Sequence, residues 1–258
     1  MNPNERIRRR QHIWVVLPAY NEEKSLPALL EAIDESMFEA GLAYKILVMD
    51  DGSTDLTGEV ARAAAERLEL PLVLERHPKN LGLGMTIRDG LLKAAELADP
   101  KDILVTMDAD NSHSPELILR MVRLAREGYD VVIASRYREG SRVRGVPLLR
   151  RALSYWGSWL FRLIFPIPGV RDYTCGYRAY KAHVFKRVLE RQGPEFFDQE
   201  GFQAMVDILL KLRREELLFA EVPFVLRYDL KEGESKMKVA RTIKNTLALM
   251  LQRRLGRH

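Results

Sequence analysis

One cysteine, Cys175, stands in 258 residues. That excludes an intrachain disulfide framework and a multi-cysteine zinc site, and it suits a reducing compartment. Glycine and proline are sparse, at 16 and 12 residues, too few for a collagen-like or low-complexity chain. A bilayer-spanning run of ~18 or more uncharged apolar residues is also missing. The best candidate, 152–170, is broken by Arg162, Pro166 and Pro168. The Arg-rich start, 4–12, leads into an apolar run that stops at Pro18, too brief for the core of a secretion signal. These absences lead us to expect a cytoplasmic protein, soluble or resting peripherally on a membrane face.

What is present argues for a folded enzyme-sized unit. A hydrophobic content of 47% rules out disorder, and this length can bury a sizeable core. The net charge is +5, but it is unevenly placed. Between Lys236 and His258 there are seven basic residues and no acidic one, which leaves 34 basic against 36 acidic residues elsewhere. A second cluster, Arg138, Arg142, Arg144, Arg150 and Arg151, is diluted only by Glu139. Patches of this kind attract phosphates, whether of nucleic acid, lipid or substrate.

Short β-branched runs at Ile13–Leu17, Lys45–Met49, Leu72–Leu74, Ile103–Met107 and Val131–Ala134 alternate with helical patterns at 26–40, 54–68, 83–98 and 115–127. That alternation predicts βαβ units in an α/β fold, a mostly parallel sheet flanked by helices. The strands are continuously apolar, as when helices cover both faces. After residue 136 the rhythm stops. An aromatic segment at 151–165, a turn-rich stretch at 166–180, helices near 181–192 and 199–213, a strand at 217–226 and a basic helix from 236 follow. We expect a nucleotide-binding half at about 13–136, an acceptor half at about 137–235, and a basic amphipathic C-terminal helix at 236–258.

Ligands of open parallel sheets bind beyond the carboxyl ends of the strands. Polar groups gather there: Pro18-Ala19-Tyr20-Asn21-Glu22 after the first strand, Asp50-Asp51-Gly52-Ser53-Thr54-Asp55 after the second, Asp108-Ala109-Asp110 after the fourth, and Ser135-Arg136-Tyr137 after the fifth. In extended backbone, residues i and i+2 point the same way, so Asp108 and Asp110 can share one site. Two close carboxylates repel unless a cation sits between them, and Mg²⁺ or Mn²⁺ binds through one or two carboxylates plus substrate phosphates. Asp50 and Asp51 can accept hydrogen bonds from a nucleobase or ribose, while Ser53 or Thr54 can cap the following helix. Asn80-Leu81-Gly82-Leu83-Gly84 lacks the Lys-Ser/Thr of a P-loop; its glycines fit a close strand-to-helix approach better than a phosphate cradle. Arginine forks bind phosphate, which makes Arg136, Arg150, Arg151, Arg171, Arg178 and Arg227 candidates.

In this order, with Asp172-Tyr173-Thr174-Cys175-Gly176-Tyr177-Arg178, Glu221-Val222-Pro223 and Gly233-Glu234-Ser235-Lys236 following, these segments resemble the inverting family 2 glycosyltransferases with the Rossmann-like GT-A fold, of the dolichyl-phosphate (polyprenyl-phosphate) mannose synthase type. The resemblance covers 13 to about 240. It implies that Pro18, Tyr20, Glu22, Asp50, Asp51 and Ala109 bind the nucleotide-sugar donor, and that Asp108 and Asp110, with Ser112, hold Mg²⁺ or Mn²⁺. Arg136, Arg227 and Lys236 would contact donor phosphates, Asp110 and Arg136 acting in catalysis. Arg150 and Ser154 would grip the phosphate of a polyprenyl or dolichyl acceptor. The sequence departs from the family at Cys175 and Tyr177, where Ser and Phe are usual, at Leu56, and across 201–207; no catalytic base is assigned there.

The resemblance therefore points to mannose transfer from GDP-mannose to a lipid phosphate. A UDP-glucose donor or a non-lipid acceptor is the alternative. Val239, Ile243, Leu247, Met250 and Leu251 form one helical face that suits an anionic membrane surface or the protein's own core. A nucleic-acid-binding protein would use the basic patches but leave Asp108-Ala109-Asp110 without a purpose, so we expect no nucleic-acid partner.

Overall fold

Strand β1 (His12–Ala19) shows why a parallel sheet forms here. Ile13, Val15, Val16 and Leu17 are completely buried, so both faces of the strand are covered and no alternation of polar residues is needed. The computed structural model describes residues 10–230 and 239–254, without the side chains of 149, 150, 239–241 and 243. Lys236, the Gly233–Lys236 segment, both ends of the expected 236–258 helix and the side chains of Arg150, Val239 and Ile243 lie outside the described residues.

β1 pairs in parallel with β2 (Ala43–Asp50) on one side and β4 (Ile103–Thr106) on the other, and β3 (Leu72–Arg76) extends the sheet beyond β2. Helices α1 (Leu26–Glu39), α2 (Thr57–Leu68), α3 (Leu83–Leu97) and α4 (Leu117–Arg126) make the connections. Beyond β4 lie β7 (Arg178–Lys181), β5 (Val131–Ser135) and β8 (Phe219–Pro223), giving the order β3-β2-β1-β4-β7-β5-β8. β7 runs antiparallel to both neighbours. A second sheet pairs β6 (Arg142–Arg144) with β9 (Val225–Arg227). Residues from both halves of the chain thus build one seven-stranded sheet.

The remaining helices are α5 (Leu148–Ile164), α6 (Ala182–Gln192), α7 (Ala204–Leu212) and α8 (Val239–Arg254). α5 is amphipathic: Ser158, Phe161 and Phe165 just after it are buried, while Tyr155, Trp156, Trp159 and Leu163 are exposed. α8 does not turn the expected stripe inward as a unit. Met250 is buried, but beside Leu249 and Arg253, whereas Leu247 and Leu251 are exposed. The reason is electrostatic: Arg253 donates to Asp207 at 2.6 Å and to Asp198 at 2.8 Å, which fixes the rotation of the helix.

β7 straddles the end of the turn-rich 166–180 stretch and the start expected for the next helix. It is four residues long and opens on a charged residue, Arg178. That arginine is completely buried and donates to the carbonyls of Tyr173 at 2.8 Å and Met205. α2 starts at Thr57, and Ser53 and Thr54 do not cap it; the main-chain N–H of Thr57 donates to Asp55 Oδ1 instead.

The glycine pair at 82–84 permits close packing, as the sequence suggests. Gly84 N–H donates to the Glu200 carbonyl at 3.0 Å, and a Cβ built at Gly84 would lie 2.4 Å from the Glu200 carbonyl carbon. Gly84→Ala should therefore destabilise the fold by about 1–3 kcal/mol. Calorimetry should read a midpoint lowered by several degrees, at ~2–4 °C per kcal/mol for a chain of this size; an unmoved midpoint would contradict the contact.

Candidate active site

The loops after β1 and β2 are knitted to each other. Asn21 N–H donates to Ser53 Oγ at 3.0 Å, Thr54 N–H to Asn21 Oδ1 at 2.8 Å, and Glu22 N–H to Thr57 Oγ1 at 2.8 Å. Asn21 sits at φ 52°, a left-handed conformation that asparagine tolerates. Ser53 and Thr54 thus serve the loop crossing. Glu22 is fixed in turn by the Ser25 hydroxyl at 2.7 Å.

Asp50 and Asp51 are both buried, yet they differ. Asp50 accepts the N–H of Ser53 at 2.9 Å and faces Arg76 at 3.3 Å, away from the cavity described below. Asp51 reaches the cavity wall, but its carboxylate gathers the N–H groups of Leu81 at 2.8 Å and Gly82 at 2.9 Å. His77 Nδ1 adds a contact at 2.7 Å, and His77 Nε2 meets Asp89 at 3.1 Å. Asp51 therefore organises the glycine loop at the cavity wall.

The Asp108–Asp110 pair is held by a turn. β4 ends at Thr106, so both carboxylates lie beyond the strand, where residues 109–111 bend and Asn111 takes φ 59°. Asp108 is half-exposed, whereas Asp110 is buried and accepts the Ser112 hydroxyl at 2.5 Å and its N–H at 3.1 Å. His113 Nδ1 accepts the Asp108 N–H at 3.1 Å, so its proton sits on Nε2, which lies 3.6 Å from Asp108 Oδ2. The ring stacks on Tyr177 with centroids 4.9 Å apart. His113 carried no role in the sequence; its lead was its position three residues after Asp110.

These groups suit a hard divalent cation. Both carboxylates are oxygen donors. Among the described residues no group of three or more His, Cys, Asp or Glu side chains could hold a metal. A cation here would draw its other ligands from water and from a bound diphosphate, the habit of Mg²⁺.

Arg136 stands just past the end of β5. It donates through Nε at 2.8 Å and Nη2 at 2.7 Å to the two oxygens of Asp172, and through Nη2 to Thr174 Oγ1 at 2.6 Å. Nη1 takes no part in these bonds. Ser154 Oγ lies 2.9 Å from the Tyr137 hydroxyl and 3.4 Å from Thr174 Oγ1, so three hydroxyls cluster beside the guanidinium. Burial alone would raise the Asp172 carboxyl, but the Arg136 charge, its hydrogen bonds and the Thr174 N–H outweigh it and hold the group below the usual range. Burial and then the Asp172 charge push the Cys175 thiol up to about 12, so it is neutral and unreactive at physiological pH.

One cavity of about 1380 Å³ joins these parts. Of the residues proposed from sequence, Pro18, Tyr20, Glu22, Asp51, Asp108, Ala109, Asp110, Ser112, Arg136 and Ser154 line it. Asp50 and Arg227 do not: Arg227 is half-exposed and pairs with Asp229 at 2.9 Å. His113, Tyr137 and Thr174 line it without having been assigned.

Residues 14–189 match the model of the family described as Glycosyl transferase family 2. A dolichol-phosphate mannosyltransferase of Pyrococcus furiosus is 33% identical over 227 residues, covering 88% of this chain; this chain spans 59% of that relative. A polyprenol monophosphomannose synthase of Mycolicibacterium smegmatis is 33% identical over 235 residues, covering 90% of this chain and 83% of the relative. An undecaprenyl-phosphate mannosyltransferase of Micrococcus luteus is 32% identical over 225 residues, covering 87% of each. Among solved structures, glucosyl-3-phosphoglycerate synthase of Mycobacterium tuberculosis with Mn²⁺, UDP and phosphoglyceric acid matches with a TM-score of 0.66 and 21% identity, over 95% of this chain and 79% of that one. The same synthase with Mg²⁺ and UDP gives 0.65 and 20%, over 95% and 80%. At that identity the likeness shows the fold alone, a GT-A-like α/β architecture.

The Arg136–Asp172 pair has a pH signature. A carboxyl whose folded pKa is depressed contributes stability above its unfolded value, ~3.9, and loses it as pH falls through the folded value. Asp172→Asn should lower stability at neutral pH by about 3–5 kcal/mol, because it strands a buried arginine. Its melting midpoint should then fall less steeply than wild type below pH ~4. Equal acid slopes in the two proteins would contradict the assignment.

Proposed function

This chain belongs to glycosyltransferase family 2, and from that premise we propose that it transfers a sugar from a nucleotide-sugar donor to the phosphate of a polyprenyl-phosphate lipid. The donor we favour is GDP-mannose, with inversion at the anomeric carbon. One observation carries the reading: a single cavity holds the Asp108/Asp110 carboxylates, the Arg136–Ser154 polar cluster and an apolar region along α5.

A phosphate acceptor simplifies the chemistry. Its second pKa is near ~6, so it is largely dianionic at neutral pH and needs no protein base. Its oxygen attacks the anomeric carbon, and the bond to the nucleoside diphosphate breaks. The chain's tasks are alignment and stabilisation of the charge that grows on the leaving group. Pro18, Tyr20, Glu22, Ala109 and the loop fixed by Asp51 form the donor side. Asp108 and Asp110 would hold Mg²⁺ or Mn²⁺, with Ser112 orienting Asp110; the cation would supply positive charge against the diphosphate. Arg136 would offer Nη1 to phosphate, and Ser154, with Tyr137 beside it, would donate to the acceptor. Lys236, Arg150 and Arg227 remain proposed phosphate contacts on sequence grounds.

Among the described residues no helix is long and apolar enough to cross a membrane. We propose peripheral contact through α5. Trp156 and Trp159 are 60% and 47% exposed, and Arg151 and Arg162 are exposed beside them. Amphipathic rings flanked by basic residues suit an anionic interface.

Two measurements test this reading. A screen of nucleotide sugars with Mn²⁺ or Mg²⁺ and a short polyprenyl phosphate should release one nucleoside diphosphate, and Asp110→Ala should lower the rate at least ~10²-fold with unchanged circular dichroism. Near-wild-type turnover in that variant would refute the metal role. Vesicles containing phosphatidylglycerol should sediment the wild-type protein and much less of a Trp156→Ser/Trp159→Ser variant; equal sedimentation would reject the α5 contact.

A further inference from the structure

The buried ring of His77 has no part in the reaction described above, yet its contacts are demanding. His77 follows β3, and its main-chain N–H donates to the Asp50 carbonyl at 2.8 Å. Nδ1 stands 2.7 Å from Asp51 Oδ1, after β2, and Nε2 stands 3.1 Å from Asp89 Oδ2, on α3. A neutral imidazole has one N–H and one lone pair, so one of these contacts would set a lone pair against a carboxylate oxygen. Only the imidazolium donates at both ends. Asp51 is the acceptor in its contact, because Oδ1 also receives the N–H of Leu81 and Oδ2 that of Gly82. Asp89 turns its other oxygen to Arg88 at 3.4 Å. The proton therefore belongs to the ring.

Asp51 carries this arrangement to the cavity. It lines the wall together with Asn80, Gly82 and Leu83, whereas His77 and Asp89 stand behind. The two loops have no slack between them: a Cβ built at Gly52 would lie 2.4 Å from the Lys79 carbonyl carbon. We propose that His77 is a positioning residue for the nucleotide-sugar donor, a doubly protonated ring clipped between Asp51 and Asp89 that holds Asp51 and the 80–83 loop where the nucleoside meets them. This rests on the transferase reading and deepens it on the donor side. The ring acts through Asp51. Its positive charge also offsets a carboxylate at a wall that an anionic donor must approach.

Nitrogen-15 NMR of histidine-labelled wild type near neutral pH should show both His77 ring nitrogens bearing hydrogen, the signals being assigned by their loss in His77→Gln. One bare nitrogen overturns the proposal. With Mg²⁺ and a short polyprenyl phosphate, His77→Gln and His77→Phe should each raise the KM for the donor about tenfold, while kcat and the acceptor KM stay within about twofold of wild type. His77→Gln keeps a polar side chain at the site and serves if His77→Phe does not fold. A merely structural histidine would lower the melting midpoint and leave the donor KM unmoved, or would shift both KM values together; either result overturns the proposal. Calorimetric titration with GDP, and with UDP in a second run, should show the same weakening in the variants without any acceptor, and equal affinity in wild type and variants overturns it. If wild type binds a nucleotide but transfers no sugar, the transferase reading fails while the NMR and calorimetry still decide the role of His77. If wild type binds neither nucleotide, the donor side is misassigned and the positioning role falls with it.

Discussion

The buried pair between Arg136 and Asp172 is the constraint on which the cavity depends. It joins the end of β5 to the segment that leads into β7, and Glu221 on β8 extends the linkage by accepting the N–H groups of Arg171 at 2.6 Å and Asp172 at 2.7 Å. Three pieces of chain distant in sequence are thus fastened at one edge of the sheet. Burying two charges is unfavourable unless their hydrogen-bonding capacity is met. Here it is met closely: Asp172 also receives the N–H groups of Arg136, Thr174 and Cys175. This part of the cavity wall is fixed because its charges are already paired within the protein. In the proposed reaction Arg136, already paired with Asp172, would contribute direction more than net charge.

The opposite wall obeys a different logic. The four candidate carboxylates, three of them lining the cavity and Asp50 outside it, divide into two roles according to what their oxygens find nearby. Asp50 and Asp51 meet backbone N–H groups and side-chain partners, and they shape the loops. Asp108 and Asp110 stand where a turn with a left-handed Asn111 lifts them to the cavity, one half-exposed and one buried. Asp50 and Asp51, whose type and place suit a nucleobase or ribose, also frame these loops. A carboxylate already holding amides can still present its face to a ribose, but it cannot swing to follow one. That rigidity would suit the proposed donor, held in a single pose.

Local chemistry decides how much of this could be read in advance. β1, β2, β4 and β5 are continuous β-branched runs because helices bury both faces, and such runs announce themselves. The glycines at 82 and 84 signalled close approach, and Gly84 indeed lies against the backbone at Glu200. β7 was hidden because its four residues open with arginine, and a buried arginine is legible only once the Tyr173 and Met205 carbonyls that receive it are in place. Asp172 and Thr174 stood in a recognised segment, but their service to Arg136 is a contact across 36 and 38 residues that no spacing rule contains.

The rotation of α8 makes the same point about energetics. Its sequence offers two apolar faces that overlap at Met250, and hydrophobic burial alone does not separate them sharply. A single charged residue does. Turning Leu247 and Leu251 fully inward would carry Arg253 away from Asp207 and Asp198 and leave two carboxylates facing Lys211 alone. Stranding a buried charge is a larger penalty than exposing two leucines whose chains can meet other apolar surface. The helix therefore settles with Thr242, Thr246 and Met250 toward the cavity, Leu249 and Arg253 buried, and Leu247 and Leu251 exposed.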